Sequence, residues 1–249
     1  NAHDAYANNV RVDYFEDSGP QVQGLLIVRD DGVGMTRDDF EDKWLVLGTE
    51  SKVGANKSKQ FLPSGMITRP ITGEKGIGRL AIALLGKQVL VMTRAKRDDG
   101  LHDLVLCWIH WGLFEIPGLN LDEIDIPVDN VASGLLPTKS QISELKSRLL
   151  QNVREIAQNH PEFDPSKIIA DLESFNPDVS YLDNYFFERT ETALSLAGDG
   201  CGTHFLIGPA NPVIKLEMQT EDKERDYSFR KHLLGFYDKV FGRENESPI

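Results

Sequence analysis

Hydrophobic and polar residues alternate, or form short apolar runs, in five segments, and this spacing predicts β-strands. The segments are residues 10–15, 22–30, 87–95, 102–111 and 202–208. Apolar residues at helical spacing predict helices over 38–47, 76–86, 143–158, about 184–197 and 224–241, with residues 1–8 as the end of another helix. In the first half of the chain the order is strand, strand, helix, helix, strand, strand. It predicts an α+β fold, a two-layer sandwich with a mostly antiparallel sheet, and not an alternating parallel βαβ fold.

The boundaries of two segments carry further information. Thr36, followed three residues later by Asp39, forms a capping box that predicts the start of a helix. Residues 48–76 are rich in Gly, Ser, Thr, Lys and Pro and show little periodicity. A structureless stretch of that length in a compact domain is either a functional lid or disordered.

Composition narrows the class of protein. The 249 residues are 40% hydrophobic and 27% charged, which is ordinary for a globular protein with a real core. No apolar run approaches the roughly 18 residues of a membrane span, and Cys107 and Cys201 are too few for a disulfide framework or a four-cysteine zinc site. We therefore expect a soluble, cytoplasmic protein. Because the chain opens at Asn1 in residues typical of a helix, we also expect sequence upstream of it.

Charge is distributed unevenly along the chain. Residues 43–97 carry 11 basic and 2 acidic side chains, although the whole chain has a net charge of −12. This basic segment indicates either a site for a polyanion, such as nucleotide phosphates or a nucleic-acid backbone, or a solvated loop surface. Charge alone favours neither interpretation.

The first segment with candidate chemistry is Asp30-Asp31-Gly32-Val33-Gly34, which follows an apolar strand. A carboxylate at Asp30 could accept a hydrogen bond from the exocyclic amine of a purine. The glycines would let the backbone bend sharply and lie close to a flat base. Asp-Gly clusters also mark ordinary turns, so this segment by itself is a weak indication.

The second segment is Gly73-Glu74-Lys75-Gly76-Ile77-Gly78, followed at once by a predicted helix. Backbone N–H groups in a glycine loop at a helix N-terminus bind phosphate oxygens, and Lys75 and Arg79 add cations. No strand leads directly into the segment, and no Gly-Lys-Ser/Thr is present, so it is neither a Rossmann nor a Walker A motif. The alternative is a glycine-rich turn.

The third segment is Asn1-Ala2-His3-Asp4-Ala5. Asn1 and Asp4 are three residues apart and would share a helix face. The Asn1 amide oxygen could bind a Mg²⁺ ion that bridges phosphates, since magnesium prefers oxygen ligands and keeps several waters. By itself the segment fits an exposed polar helix face better.

Together the three segments resemble the GHKL superfamily, the gyrase B, heat-shock chaperone, histidine kinase and MutL group of ATP-binding domains with the Bergerat fold. NAHDA is similar to the family's Asn-Ala-x-Asp-Ala box, DDGVGM to its adenine box, GEKGIG to its phosphate box, and Gly202-Thr203 to its final Gly-Thr element. The segment that begins Leu47-Gly48-Thr49 resembles the chaperone branch, and the chaperone-like and MORC-like branches fit best. The resemblance covers roughly residues 1–95 and 202–208.

The resemblance implies ATP and Mg²⁺ as cofactors and gives each residue a role. Asn1 would bind Mg²⁺, Asp30 would bind the adenine amine, and Thr203 would join the Asp30–adenine network through its hydroxyl. Gly32 and Gly34 would form the wall beside the base, and Met35 would also belong to the nucleotide-binding residues. The phosphates would contact Gly73, Lys75, Gly76, Ile77, Gly78 and Arg79. The family's catalytic carboxylate would lie upstream of Asn1, so the catalytic residue stays unknown; we expect Asp4 to be structural.

The predicted domain organisation is an ATP-binding core over residues 1–116 and 201–210, an inserted helical region over 117–200, and a C-terminal helical extension over 211–249 that leads to further domains. The predicted function is ATP binding and hydrolysis, with a lid that closes over ATP, homodimerisation on ATP binding, and coupling to a protein partner or effector domain. The alternatives are a histidine-kinase-type phosphotransfer domain and a non-catalytic nucleotide-sensing assembly module. Residues 98–249 carry 13 basic and 27 acidic side chains, which makes nucleic-acid binding a poor fit.

Overall fold

The structure is a computed structural model that describes residues 2–15, 24–45, 61–63, 65, 67–69, 81–177 and 194–214. Asn1, the glycine segment 73–78 with Arg79, most of the predicted lid and the predicted helix 224–241 lie outside the described residues. None of the described helices combines the length and apolar character that crossing a membrane requires.

Six described strands form one sheet in which every neighbouring pair is antiparallel. They are β1 (Val10–Phe15), β2 (Leu25–Asp30), β3 (Gln88–Arg97), β4 (Gly100–His110), β5 (Val128–Val131) and β6 (Gly202–Ile207). Their order across the sheet is β1-β2-β6-β3-β4-β5. The last of the described strands, β6, therefore lies between β2 and β3. The predicted α+β fold with a mostly antiparallel sheet is confirmed.

The described helices are α1 (Arg37–Asp39), α2 (Ala81–Leu85), α3 (Lys139–Asn159) and α4 (Ser166–Ser174). A π-helix, Phe40–Leu45, continues directly from α1. The capping box predicted at the start of α1 is confirmed. Thr36 Oγ1 accepts the Asp39 N–H at 3.1 Å, and the Asp39 carboxylate accepts the Thr36 N–H at 3.4 Å.

The two faces of the sheet have different coverings. On the helix face, Leu90, Met92 and Trp108 are fully buried in one core with α3 and α4, and Trp108 meets Phe175 edge-on at 5.5 Å. The other face, the loop face, carries Met35 and the π-helix, where Trp44 stacks on Phe205 of β6 at 6.0 Å. Successive strand residues point to opposite faces, so each strand contributes to both.

Three local predictions are wrong. The prolines and aspartates of residues 117–137 predict a connection, but strand β5 lies within it. Its buried residues Val128 and Val131 are three positions apart, so no period of two is visible. Trp111 lies in a 3₁₀ turn, Trp111–Glu115, because β4 ends at His110. The predicted helix at 184–197 is not helical at its described end, Leu194–Ala197, because the carbonyls of Leu194 and Leu196 bind arginines of the sheet.

Candidate functional site

Three polar side chains meet on the loop face where β2, β6 and β3 lie side by side. Thr203 of β6 is paired with Asp30 of β2 on one side and with Thr93 of β3 on the other. All three residues are buried, and Asp30 has the largest exposed fraction at 9%. Because paired residues of neighbouring strands point to the same face, antiparallel register alone brings these side chains together.

The two threonine hydroxyls are joined to the backbone of the neighbouring loop. Their oxygens are 3.0 Å apart, and Thr93 Oγ1 is 3.1 Å from the Gly202 carbonyl oxygen and accepts the Met35 N–H at 3.0 Å. When Thr93 donates its single proton to Gly202, Thr203 donates to Thr93. The Thr203 oxygen then keeps acceptor positions on the loop face.

Asp30 is the ionisable group of this cluster. Its Oδ1 accepts the Gly32 N–H at 2.9 Å, and its carboxylate also accepts a backbone N–H from Thr203. Burial raises the pKa of Asp30 to about 6 in spite of these two hydrogen bonds, and the nearby Asp31 charge adds to the effect. A buried carboxylate with a raised pKa at the end of a strand is typical of a functional site.

The loop after Asp30 packs backbone against backbone on β3. Gly34 has a φ of +60°, and a Cβ atom there would lie 1.9 Å from the Arg94 carbonyl oxygen. The Val33 N–H donates to Ala5 O at 2.8 Å, and Val33 O accepts the Lys96 N–H at 3.1 Å. The approach of Gly34 to β3 therefore explains the glycine at this position without reference to any ligand.

Asp31, although adjacent to Asp30, faces a different part of the chain. One of its oxygens accepts the N–H groups of Asn8 and Asn9, each at 2.8 Å, and the other accepts the Asn9 side-chain amide at 2.7 Å. This carboxylate ties the loop to the N-terminal segment. The resemblance assigned the adenine role to Asp30, and the fold adds that the neighbouring Asp31 is already engaged.

Comparison with known families shows to which family the chain belongs. A family model described as histidine kinase-, DNA gyrase B- and HSP90-like ATPase matches residues 1–131, just over half of the chain. The chain belongs to this ATPase family. A comparison with curated proteins found no match. The family match confirms the resemblance at the level of the superfamily, and the chaperone-like or MORC-like branch stays a prediction.

The N-terminal segment of this ATPase-family chain has the hydrogen bonds with which α-helices end. The Ala7 N–H donates to Ala2 O at 3.0 Å and the Tyr6 N–H to His3 O at 3.1 Å, with Tyr6 at a φ of +60°. This is the Schellman pattern, and it agrees with the predicted helix end. Asp4 lies on the turn, buried, with its carboxylate 3.5 Å from the His3 ring.

Arg69, which no sequence signal singled out, caps this turn. Its guanidinium donates to His3 O at 3.3 Å and to Ala7 O at 3.2 Å, and it lies 5.3 Å from the centre of the Tyr6 ring. A cation beside the carbonyls at a helix C-terminus is favourable. Arg69 lies shortly before the predicted phosphate box, residues 73–78. Its contacts connect that part of the chain to the N-terminal segment that resembles the family's Asn-Ala-x-Asp-Ala box.

The structure thus brings together Asp30, Gly32, Gly34, Met35 and Thr203 of the predicted site. The remaining predicted residues, Asn1, Gly73, Lys75, Gly76, Ile77, Gly78 and Arg79, lie outside the described residues. Thr93 was missed, because a threonine within the apolar strand 87–95 gives no sign that its hydroxyl faces Thr203. The two hydroxyls meet only because β3 pairs with β6, which places residues 110 positions apart in sequence side by side.

Proposed function

We propose that this domain binds ATP at the Asp30–Thr203 corner and hydrolyses it. One observation carries the proposal: Asp30, in a chain of the ATPase family, is a buried carboxylate held by two backbone N–H groups and paired with Thr203. Two backbone bonds leave acceptor capacity on its oxygens, and an adenine amine would be the donor. The Thr203 hydroxyl would join the same network.

The phosphates would extend from this corner toward the basic segment 43–97. Gly73, Gly76, Ile77 and Gly78 would supply backbone N–H groups, and Lys75 and Arg79 would supply charge. Magnesium would bind Asn1 and phosphate oxygens and keep waters as its other ligands.

ATP would shift the lid segment, residues 48–76, toward a closed state, because γ-phosphate contacts exist only there. Closure would promote homodimerisation and act on a protein partner or effector domain. The core would comprise residues 1–116 and 201–210, with 117–200 as an elaboration and 211–249 as an extension. Free thiols at Cys107 and Cys201 fit a reducing, cytoplasmic location.

Calorimetric titration of Mg-ATP and of Mg-ADP tests the binding step. We expect Asp30→Asn to weaken binding by about tenfold or more, since an amide is a poorer acceptor and its NH₂ opposes the adenine amine. Asp31→Asn is the matched control. It removes one negative charge next to Asp30, and among the described residues the Asp31 carboxylate bonds only Asn8 and Asn9. Equal weakening by the two variants would contradict the adenine role of Asp30.

A phosphate-release assay tests hydrolysis. Binding without turnover would support the alternative of a nucleotide-sensing module. Transfer of phosphate to a histidine-containing partner would support a phosphotransfer domain. No binding of either nucleotide would overturn the proposed function.

A further inference from the structure

Arg97, at the end of β3, contacts three parts of the chain at once. Its guanidinium donates to the carbonyls of Val33 at 2.7 Å and Gly34 at 3.1 Å, and to the Asp39 carboxylate at 2.8 Å. The same guanidinium lies over the Phe61 ring, with its Cζ 4.7 Å from the ring centre. Arg97 therefore joins the loop after Asp30, helix α1 and the segment that contains Phe61.

The arrangement depends on the shape of arginine and not only on its charge. A planar guanidinium can donate to two carbonyls and one carboxylate while its flat face covers an aromatic ring. A lysine ammonium can keep one or two of these contacts but cannot hold them all. The Arg97 side chain is only 15% exposed, so water screens its contacts less than those of a surface ion pair.

The Asp39 carboxylate shows that the cluster is electrostatically satisfied. Burial opposes its ionisation, but hydrogen bonds from Lys43 and Arg97 outweigh burial and lower the pKa of Asp39 to about 2. Asp39 is therefore charged at every physiological pH. It holds one edge of the Arg97 guanidinium and leaves the other donors for the loop carbonyls.

We propose that Arg97 is a positioning residue for nucleotide binding, a role that rests on the proposed function. It fixes the path of Val33 and Gly34 against β3, between Asp30 and Met35, on the side that the base would contact. Through the Phe61 ring it also couples this loop to the segment before the predicted phosphate loop. Nucleotide binding and docking of Phe61 then favour each other reciprocally.

The first test compares nucleotide affinities of Arg97→Lys and Arg97→Gln at a temperature where circular dichroism shows each variant folded. We expect both to weaken Mg-ATP and Mg-ADP binding by about five- to twentyfold, and by the same factor for the two nucleotides. Arg37→Gln is the control, since Arg37 lies on α1 and pairs with Glu41 without contacting the loop. A direct phosphate contact would instead show rescue by lysine and a larger loss for ATP.

The second test measures the coupling. We expect Phe61→Leu to weaken nucleotide binding two- to fivefold in the native background and to have no effect in the Arg97→Lys background. If Arg97→Gln does not fold, Arg97→Lys and Phe61→Leu still decide the question. Additive effects of the two changes would overturn the coupling.

The outcomes separate this proposal from the one on which it rests. Native affinity in both Arg97 variants, together with loss of binding in Asp30→Asn, would overturn the positioning role and leave the nucleotide site intact. Absence of nucleotide binding in the native chain would overturn both. Weak binding in the Arg97 variants with an unchanged Arg37→Gln variant would support the positioning role.

Discussion

The two faces of the sheet treat buried polar groups in opposite ways. Asp30, Thr93 and Thr203 lie on the loop face, and their sequence neighbours Arg29, Arg94 and His204 lie on the helix face, all of them buried. On the helix face the charges are engaged by the protein itself. Arg94 binds the carbonyls of Leu196 and Leu135, and Arg29 binds Leu194 O at 3.2 Å and Asp13 at 3.2 Å.

The comparison separates structural from functional burial of polar groups. Burial and the charge of Arg29 lower the pKa of His204 to about 3, so this imidazole stays neutral and adds no charge to the helix face. Asp30 is different, because its pKa is raised and its oxygens keep acceptor capacity. The guanidinium groups of the helix face are held by carbonyls of the protein. The Asp30 oxygens keep acceptor capacity, which makes this carboxylate a candidate for binding.

Gly34→Ala should have the largest effect on this contrast. The added Cβ would meet the Arg94 carbonyl at 1.9 Å on a backbone with φ of +60°, so the loop could not dock on β3. We expect a loss of about 3 kcal/mol or more in the free energy of unfolding and at least a hundredfold loss in nucleotide affinity. Urea denaturation and calorimetry measure the two quantities.

Gly118→Ala is the matched control for that change. Gly118 has a φ of +78°, but a Cβ atom there meets nothing within 4 Å. Only the backbone term of about 1 kcal/mol should appear, with unchanged nucleotide affinity. A similar loss in both variants would show that Gly34 matters for its φ alone and not for its approach to Arg94.

Arg94→Met should damage the helix face and spare the loop face. Removing the guanidinium leaves the buried carbonyls of Leu196 and Leu135 without this donor, which should lower the free energy of unfolding by about 2–4 kcal/mol. Arg148→Met, which breaks only a half-exposed pair with Asp129, should cost less than about 1 kcal/mol. Nucleotide affinity of the folded Arg94→Met protein should change less than threefold. A large loss of affinity would show that the buried arginine of the helix face also contributes to nucleotide binding.

Asp30→Asn should raise stability while it weakens binding. The pKa of Asp30 rises from 3.8 to about 6 on folding, so the folded state holds more protons than the unfolded state between these values. Stability therefore falls as pH rises from about 4 to 6, and above pH 6 the full penalty of roughly 2–3 kcal/mol remains. Urea denaturation at pH 4 and pH 7 should show that the variant gains at pH 7 only. A variant less stable than the native protein at pH 7 would mean that burial of the charged Asp30 carboxylate does not destabilise the fold.

Thr93→Val should have the smallest effect of these changes. The Met35 N–H and the Gly202 carbonyl lose a partner, which should cost about 1 kcal/mol in stability and a few-fold in nucleotide affinity. Thr93→Ser keeps the hydroxyl and should restore the affinity. Calorimetry that finds valine and serine equivalent would remove Thr93 from the site.

Much of the fold and part of the site could be predicted because their signals are local. The alternation over residues 10–15, the Thr36 capping box and the Asp-Gly loop after an apolar strand each depend on a few consecutive residues. Strand β5 and helix α4 were missed, since a four-residue strand without alternation and a nine-residue helix within an irregular region give weak patterns. Arg97 was missed because the sequence places it in a polar turn after the predicted strand 87–95, where basic residues are common, whereas the observed strand extends to Arg97.

Most of the strands and helices, the candidate carboxylate and glycines, and the resemblance to an ATPase family follow from the sequence alone. The tertiary structure decided that β6 enters between β2 and β3, and so that Thr203 lies between Asp30 and Thr93. It also decided that Asp30 and not Asp31 keeps acceptor capacity, and that Arg97 reaches the loop. Strand propensity and turn chemistry act over only a few residues. Register, burial and the pKa shift that follows from burial depend on segments more than a hundred residues apart.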